Sequence, residues 1–140
     1  MGWADFIRLF AEVAVCRLAQ DKLEAREGGW LPSVFNAGQA VSIEVYARTQ
    51  VDIAMHQEPH RSRGESAIPT LVDVGMLVLK QESNGAVSLV AHAERSVSSS
   101  VCVEADLEQD AHASRYLLLP LCFGQLGSPE PRKFRVSVHS

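Results

Sequence analysis

Thiol chemistry is the first possibility that the sequence raises, because it holds three cysteines and five histidines. A catalytic thiol needs a nearby base or cation that lowers its pKa. Cys16 and Cys122 lie in apolar runs, which is typical of core residues. Cys102 alternates in phase with Ser98 and Ser100 and is expected to face solvent, but no basic residue adjoins it. This pattern does not favour a reactive thiol.

Calcium binding is the second possibility, and the densest acidic stretch is EADLEQDA at residues 104–111. Its carboxylates belong to Glu104, Asp106, Glu108 and Asp110. A calcium site needs several oxygen ligands that converge on one point, and this stretch lacks the Asp-x-Asp-x-Asp-Gly order of an EF-hand loop. We therefore favour a solvated strand end and loop, with calcium as the weaker alternative and no other cofactor expected.

A basic cluster lies in the stretch HQEPHRSRGES, residues 56–66. His56, His60, Arg61 and Arg63 are candidates for contact with anionic lipid headgroups or with another protein. Each basic residue near an anionic membrane surface contributes about 1 kcal/mol to binding. Two glutamates in the same stretch offset part of the charge, so an ordinary polar hairpin loop is the simpler interpretation.

Aromatic residues form the last candidate surface. Trp3, Phe6, Ile7 and Phe10 fall at helical spacing and make one apolar stripe. Such a stripe is expected to fold back on the rest of the chain, to bind another protein as an interface, or to stay partly exposed. Trp30 follows a pair of glycines and is expected to cover one end of the fold.

Short β-like runs carry most of these candidates, because helical periodicity is confined to the start of the chain. A short strand is predicted over VAVCRL, and seven further runs follow: QAVSIEVYA, QVDIAMHQ, TLVDVGMLVL, AVSLVAHA, SVSSSVCVEADL, RYLLLPLCF and KFRVSV. Asn84-Gly85 is a strong hairpin signal. Turn signals recur about every 8 to 12 residues, as in a β-sandwich.

The predicted fold class is therefore all-β: an antiparallel β-sandwich of seven to eight strands, with a short N-terminal helix and strand. Residues 19–29 are interpreted as a charged connector, with a turn of helix over KLEAR as the alternative. TLVDVGMLVL is continuously apolar and is expected to be buried on both faces. Pro120 interrupts an apolar run and is expected at a sheet edge or a bulge, because proline has no N–H to donate.

The composition is that of one ordinary globular domain. The chain has 140 residues, 46% of them hydrophobic and 21% charged, and a formal net charge of −4. This charge gives no reason to expect nucleic acid as a partner. Neither an apolar run of about 20 residues nor a signal peptide is recognisable, and an odd number of cysteines is a poor disulfide framework. A cytoplasmic location is the expectation.

Both ends of the chain resemble the calpain family of cysteine proteases. DFIRLFAEVAVCRL is similar to the last segment of the calpain protease core, and five residues match that segment at its spacing: Asp5, Phe6, Phe10, Val15 and Cys16. YLLLPLCF and KFRVSV resemble the last two strands of the following β-sandwich, domain III, through Tyr116, Pro120, Phe123 and Phe134. The stretches EAREGGWLPS, VDIAMHQEPHRSR and LVDVGMLVLK are most similar to the atypical small optic lobes subfamily.

The resemblance implies that residues 1–20 are a C-terminal remnant of a calpain-like protease core and residues 21–140 a C2-like domain III sandwich. In calpains the catalytic cysteine stands in a Gly-Asp-Cys-Trp context, which none of the three cysteines here has. His92-Ala93 matches part of the family's Gly-His-Ala motif, but it follows Ala91 inside a strand pattern, so an ordinary strand histidine is favoured. We therefore expect no enzyme activity from this chain.

Three roles follow from this resemblance and from the residues. The first is a non-catalytic regulatory or scaffolding sandwich of a calpain-like intracellular protease, which supports the protease core or recruits it to partners. The second is a C2-like module that binds anionic phospholipid, with or without calcium. The third is a protein-interaction module that uses the stripe of Trp3, Phe6 and Phe10.

Overall fold

The computed structural model describes residues 23–32, 36–57, 71–110, 114–124 and 131–140. These residues contain nine strands: β1 (Glu24–Leu31), β2 (Asn36–Ala37), β3 (Val41–Val45), β4 (Thr49–Gln57), β5 (Val74–Gln81), β6 (Val87–Ser96), β7 (Ser100–Leu107), β8 (Ser114–Cys122) and β9 (Arg132–His139). The predicted helix and strand at the N-terminus lie outside the described residues. No helix long and apolar enough to cross a membrane occurs in the described ranges.

Two antiparallel sheets form the fold, which confirms the predicted all-β sandwich. Sheet A has the strand order β1-β9-β4-β7. Sheet B has the order β2-β8-β5-β6, and β3 also pairs with β8. The seven predicted β-like runs correspond to β3 through β9. β1 and β2 were not predicted as strands.

β1 corrects the interpretation of residues 19–29 as a connector or a turn of helix. Residues 24–31 pair along their whole length with β9, from Glu24 opposite His139 to Leu31 opposite Arg132. β1 is an edge strand, and edge strands often carry charged residues. Its side chains are mostly exposed on both faces, so the alternation that marks a half-buried strand is missing from the sequence.

Pro120 lies at the interruption between β2 and β3. Ala37 is opposite Leu121 and Val41 is opposite Leu118, so three residues of the edge face only two residues of β8. The carbonyl oxygen of Pro120 accepts the N–H of Gly38 at 2.7 Å. The nitrogen of a strand residue points to the same side as its carbonyl oxygen, so the missing donor faces this bulge. A central strand tolerates the proline for that reason.

The strands pair as nested partners when β2 and β3 are counted as one interrupted strand. The β5–β6 hairpin is innermost, β4 pairs with β7 around it, β3 with β8 around those, and β1 with β9 outermost. This nesting is the connectivity of a jelly roll. The hairpin turn uses Asn84-Gly85, as the sequence predicts: Gly85 has φ +84°, and the Asn84 side chain accepts the N–H of Ala86.

Inward-facing side chains of both sheets form one core. They alternate with outward residues along β4, β8 and β9. The largest fully buried members are Leu31, Ile53, Met55, Met76, Leu107, Tyr116 and Leu118. The Tyr116 hydroxyl donates to the carbonyl oxygen of Glu108 at 2.7 Å, and burial raises the pKa of this phenol. Burial of both faces, expected of β5, holds only at its start, because Leu77 and Leu79 are half-buried on the outer side.

Candidate functional site

An open groove of about 1050 Å³ lies over the outer face of sheet A. Directly opposed residues of an antiparallel pair share a face, so β1, β9 and β4 contribute their alternate residues to it. The outward-facing residues that line it are Glu24, Arg26, Gly28, Trp30, His56, Lys133, Arg135, Ser137 and His139. We refer to this surface as the sheet A groove.

Small residues make the floor of the sheet A groove. Gly28 is opposite Arg135, and Ser137 is opposite Ala54 on its other side. A Cβ atom at Gly28 would lie 3.4 Å from the nearest atom, the carbonyl oxygen of Phe134, which is an ordinary contact. A side chain at this position would therefore fill the groove without disturbing the sheet.

Gly29 differs from its neighbour because it faces the core. A Cβ atom there would lie 2.7 Å from Cζ of the Phe134 ring, closer than side chains approach one another. The ring of Phe134 packs where a side chain of residue 29 would stand. The glycine pair thus has two separate uses: Gly29 admits the core aromatic ring, and Gly28 keeps the groove open.

Positive charge is concentrated at the Trp30 end of the groove. The Lys133 Nζ lies 5.2 Å from the centre of the Trp30 ring, which is within cation–π distance. Arg135 is opposite His56 in the register of β9 and β4. Among the described residues, no carboxylate forms a salt bridge with Lys133 or Arg135. Two cations here thus lack a described counter-charge.

At the opposite end of the groove, the Glu24 carboxylate compensates the positive charge. Arg26 donates from Nε to Glu24 Oε1 at 2.5 Å and from its terminal nitrogen to Oε2 at 2.9 Å. His139 Nε2 lies 3.6 Å from the same carboxylate. The hydrogen bond from Arg26 lowers the pKa of Glu24, and Glu24 raises the pKa of Arg26. An incoming anion would therefore meet attraction mainly at the Trp30 end.

Gln57 fixes the sandwich end at which the groove opens. Gln57 is 5% exposed, and its side chain makes three hydrogen bonds to main-chain groups. The amide nitrogen donates to the carbonyl oxygens of Val72 and Ser98, both at 2.7 Å, and the amide oxygen accepts the N–H of Val72 at 3.0 Å. These bonds join the two ends of the β4–β5 connection to the β6–β7 turn, next to His56.

Of the predicted contact residues, His56 lies in this groove. His60, Arg61 and Arg63 lie outside the described residues, as do Trp3, Phe6 and Phe10 of the aromatic stripe. The prediction that Trp30 covers one end of the sandwich is wrong. Its side chain is 52% exposed on the outer face of sheet A, because its position opposite Lys133 directs it away from the core.

The acidic stretch at residues 104–111 is dispersed rather than convergent. Asp106 pairs with Arg48, which lowers the pKa of the Asp106 carboxyl. Asp110 pairs with Lys80 at 2.9 Å. Within the described ranges, no three His, Cys, Asp or Glu side chains are grouped so that they could hold a metal ion. The stretch thus forms a strand end and loop whose carboxylates pair with separate cations.

Cys102, Cys122 and His92 occupy the positions that the sequence predicts, whereas Cys16 lies outside the described residues. Cys122 is buried and Cys102 is exposed. His92 is an exposed residue of β6, opposite Leu77 of β5. Cys102, Cys122 and His92 are therefore ordinary strand residues.

The groove itself was not predicted from the sequence. Its members come from β1, β4 and β9, which are distant in the chain and become neighbours only through the register of sheet A. One local signal was present: Lys133 and Arg135 alternate with Phe134 and Val136, which puts two cations on the outer face of the last strand.

No protein-family model matches the chain. A crystal structure of a protein from Sulfurospirillum deleyianum aligns with this chain at a TM-score of 0.42 and 10% sequence identity. The match covers 86% of this chain and 98% of that one.

Proposed function

We propose that this chain is a non-catalytic binding module that attaches to anionic membrane surfaces through the sheet A groove. The observation that carries the proposal is the pair of cations without a described counter-charge, Lys133 and Arg135, beside the exposed Trp30. The chain has a formal net charge of −4, so attraction of an anion requires such a local concentration of positive charge.

The chemistry of the groove suits a lipid headgroup region. Lys133 and Arg135 are two residues apart on one face of β9 and can bind phosphate or carboxylate oxygens together. Tryptophan is favoured at membrane interfaces because its ring is apolar and its N–H is polar. Two basic residues near the surface contribute about 2 kcal/mol in total. The expected attachment is therefore weak and depends on salt.

The place of such a module in a larger system follows the family resemblance. A calpain-like intracellular protease would use the module as its regulatory or scaffolding sandwich and reach its site of action through it. The sandwich architecture and the position of YLLLPLCF and KFRVSV on the last two described strands support this part. The residues that resemble the protease core lie outside the described ones.

Vesicle sedimentation tests the proposal. The full chain is mixed with vesicles of phosphatidylcholine alone, or with phosphatidylserine added, at low and high salt and with calcium or a chelator. We expect binding only to the anionic vesicles, lost at high salt. Lys133→Ala should weaken it about fivefold. Gly28→Val should also weaken it, since the new side chain fills the floor of the groove.

A matched control separates the groove from net charge. Arg115→Glu changes the charge as much as Arg135→Glu does, but Arg115 lies on the outer side of sheet B. Binding that responds equally to both variants, or to neither, rejects the groove. Binding to soluble polyglutamate but not to anionic vesicles would instead identify an acidic protein as the partner. A dependence on calcium would favour the C2-like alternative at another place on the chain.

A further inference from the structure

Leucines occupy the centre of the outer face of sheet B, unlike that of sheet A, and His92 lies beside them opposite Leu77. The register places Leu77 opposite Leu119, Leu79 opposite Leu117, and Leu79 also opposite Leu89. Directly opposed residues share a face, so these side chains form one continuous surface. We call it the leucine face, and its members are Leu77, Leu79, Leu89, Leu117, Leu119 and Leu121.

The leucine face is separate from the core. The buried core cluster contains Met76, Val78 and Leu118, the inward neighbours of these leucines, but none of the six. Leu89 is 59% exposed, and the adjacent Val87 is 55% exposed. An antiparallel sheet with one solvated face normally carries polar residues on that face. A contiguous apolar surface of this kind marks a place where something docks.

Polar groups border the leucine face at two ends. At one end Arg115 pairs with Glu44 at 3.2 Å. At the other end Arg95 pairs with Asp73 and lies over the Phe123 ring, 4.8 Å from its centre. An apolar centre with a charged rim is the usual organisation of a protein interface. The surface is thus suited to an apolar peptide segment.

We propose that residues 1–22 of the same chain dock on the leucine face, with Trp3, Phe6 and Phe10 as the contacting side chains. This segment carries an apolar aromatic stripe, and the leucine face is an apolar surface that no described segment covers. The segment supplies apolar aromatic side chains, and the leucine face supplies an apolar surface for them to pack on.

The length of the segment allows the contact. The described chain begins at Leu23, which exchanges two main-chain hydrogen bonds of 3.0 Å with Ser140 at the end of sheet A. A helix over residues 3–13 would be about 16 Å long. The nine residues 14–22 can span up to about 30 Å when extended. Sheets of a sandwich lie about 10 Å apart, so the segment can pass over the sandwich end and reach the outer side of sheet B.

Tryptophan fluorescence tests the contact in the full-length chain. The sequence has two tryptophans, so Trp30→Phe leaves Trp3 as the single reporter. We expect Trp3 to emit in the blue range typical of an apolar environment and to resist quenching by iodide. Adding Leu119→Gln should shift the emission to the red and increase quenching several-fold. Val97→Gln, at an exposed turn residue outside the leucine face, should leave both unchanged.

A double-mutant cycle checks that the effect is not a loss of folding. Phe6→Ala alters only the segment, and Leu119→Gln alters only the face. Their effects on thermal unfolding should be less than additive if the two side chains touch. Strict additivity, or a Trp3 that is fully quenched in the folded monomer, overturns the proposal. So does a concentration-dependent dimer in sedimentation that Leu119→Gln dissolves, since a second copy would then cover the face.

Discussion

The two outer faces of the sandwich differ more than its two inner faces do. On sheet A, Arg135, Lys133, Glu24 and Arg26 surround a groove with a floor of small residues. On sheet B, six of the outward positions carry leucines. Both sheets bury aliphatic side chains on the inside. The shared interior accounts for the fold, and the contrast outside divides the molecule into a charged surface and an apolar one.

The contrast is visible in single strands. Along β4, apolar Val51, Ile53 and Met55 alternate with Asp52 and His56. β8 is apolar on both sides from residue 116 to residue 122, because its outward positions are leucines too. A strand that is apolar on both faces therefore indicates either a central strand of a three-layered fold or a surface that another segment covers.

Two adjacent leucines of β8 should show the largest difference in stability between the core and the leucine face. Leu118 is fully buried between the sheets, and Leu119 lies on the leucine face. Leu118→Ala should lower the free energy of unfolding by about 2–5 kcal/mol, because it leaves a cavity. Leu119→Ala should cost about 1–2 kcal/mol even with residues 1–22 docked, because Leu119 is half-buried among the described residues and its loss leaves no enclosed cavity. Denaturant unfolding measures both, and equal losses would contradict one-sided packing.

Gln57 tests whether a buried polar anchor holds the groove end of sheet A. Gln57→Ala leaves the N–H and carbonyl of Val72 and the carbonyl of Ser98 without their side-chain partner. We expect a loss of about 2 kcal/mol in chemical denaturation. Gln50→Ala, on the exposed side of the same strand, is the control and should change stability by less than about 0.5 kcal/mol. Equal losses of stability in the two variants would mean that the hydrogen bonds of the Gln57 side chain contribute nothing.

The glycine pair of β1 allows a finer comparison within sheet A. Gly29→Ala forces the Phe134 ring to move and should cost about 1–2 kcal/mol. Gly28→Ala meets only the ordinary 3.4 Å contact with the carbonyl oxygen of Phe134 and should be neutral or stabilising by up to about 0.5 kcal/mol. Thermal unfolding of the two single variants is the measurement. The reverse order would show that Gly28, not Gly29, faces the core.

The smallest expected effect concerns the exposed pair of Arg48 and Asp106. The pair lowers the pKa of the Asp106 carboxyl, so its stabilisation is present above the ordinary carboxyl pKa of about 3.9 and is lost as the pH falls through the lower folded value. Arg48→Met should reduce Tm by about 1–3 °C at pH 7. Calorimetry should find this difference gone near pH 2. If the difference in Tm persists in strong acid, it comes from packing of the Arg48 side chain and not from the ion pair.

The sequence predicted the strands well wherever one face is polar. Alternation over QAVSIEVYA and QVDIAMHQ identified β3 and β4, and Asn84-Gly85 identified the innermost hairpin. β1 was missed because an exposed edge strand has no alternating burial to detect. The expectation that β5 is buried on both faces failed at Leu77 and Leu79, because an apolar residue in the sequence does not reveal whether a partner covers it.

The groove could be predicted only in part. His56 was identified as a candidate for contact with an anion, but its neighbours Arg135 and Gly28 come from the other end of the chain and from an unrecognised strand. Register decides which residues meet across strands, and no local pattern contains it. Trp30 shows the same limit, since the side of β1 on which it lies follows from its pairing with Lys133.

The nested pairing of strands also has a consequence for the order of folding. The β5–β6 hairpin closes a short loop, whereas β1 and β9 join residues more than a hundred positions apart. Loop closure and contact order favour early formation of the inner hairpin and late addition of the outer pair. Pulsed hydrogen exchange should therefore protect the amides of β5 before those of β1, and simultaneous protection would contradict this sequence of events. Because β1 and β9 supply most of the groove, the surface proposed to bind anions would be assembled last, when the rest of the chain has already folded.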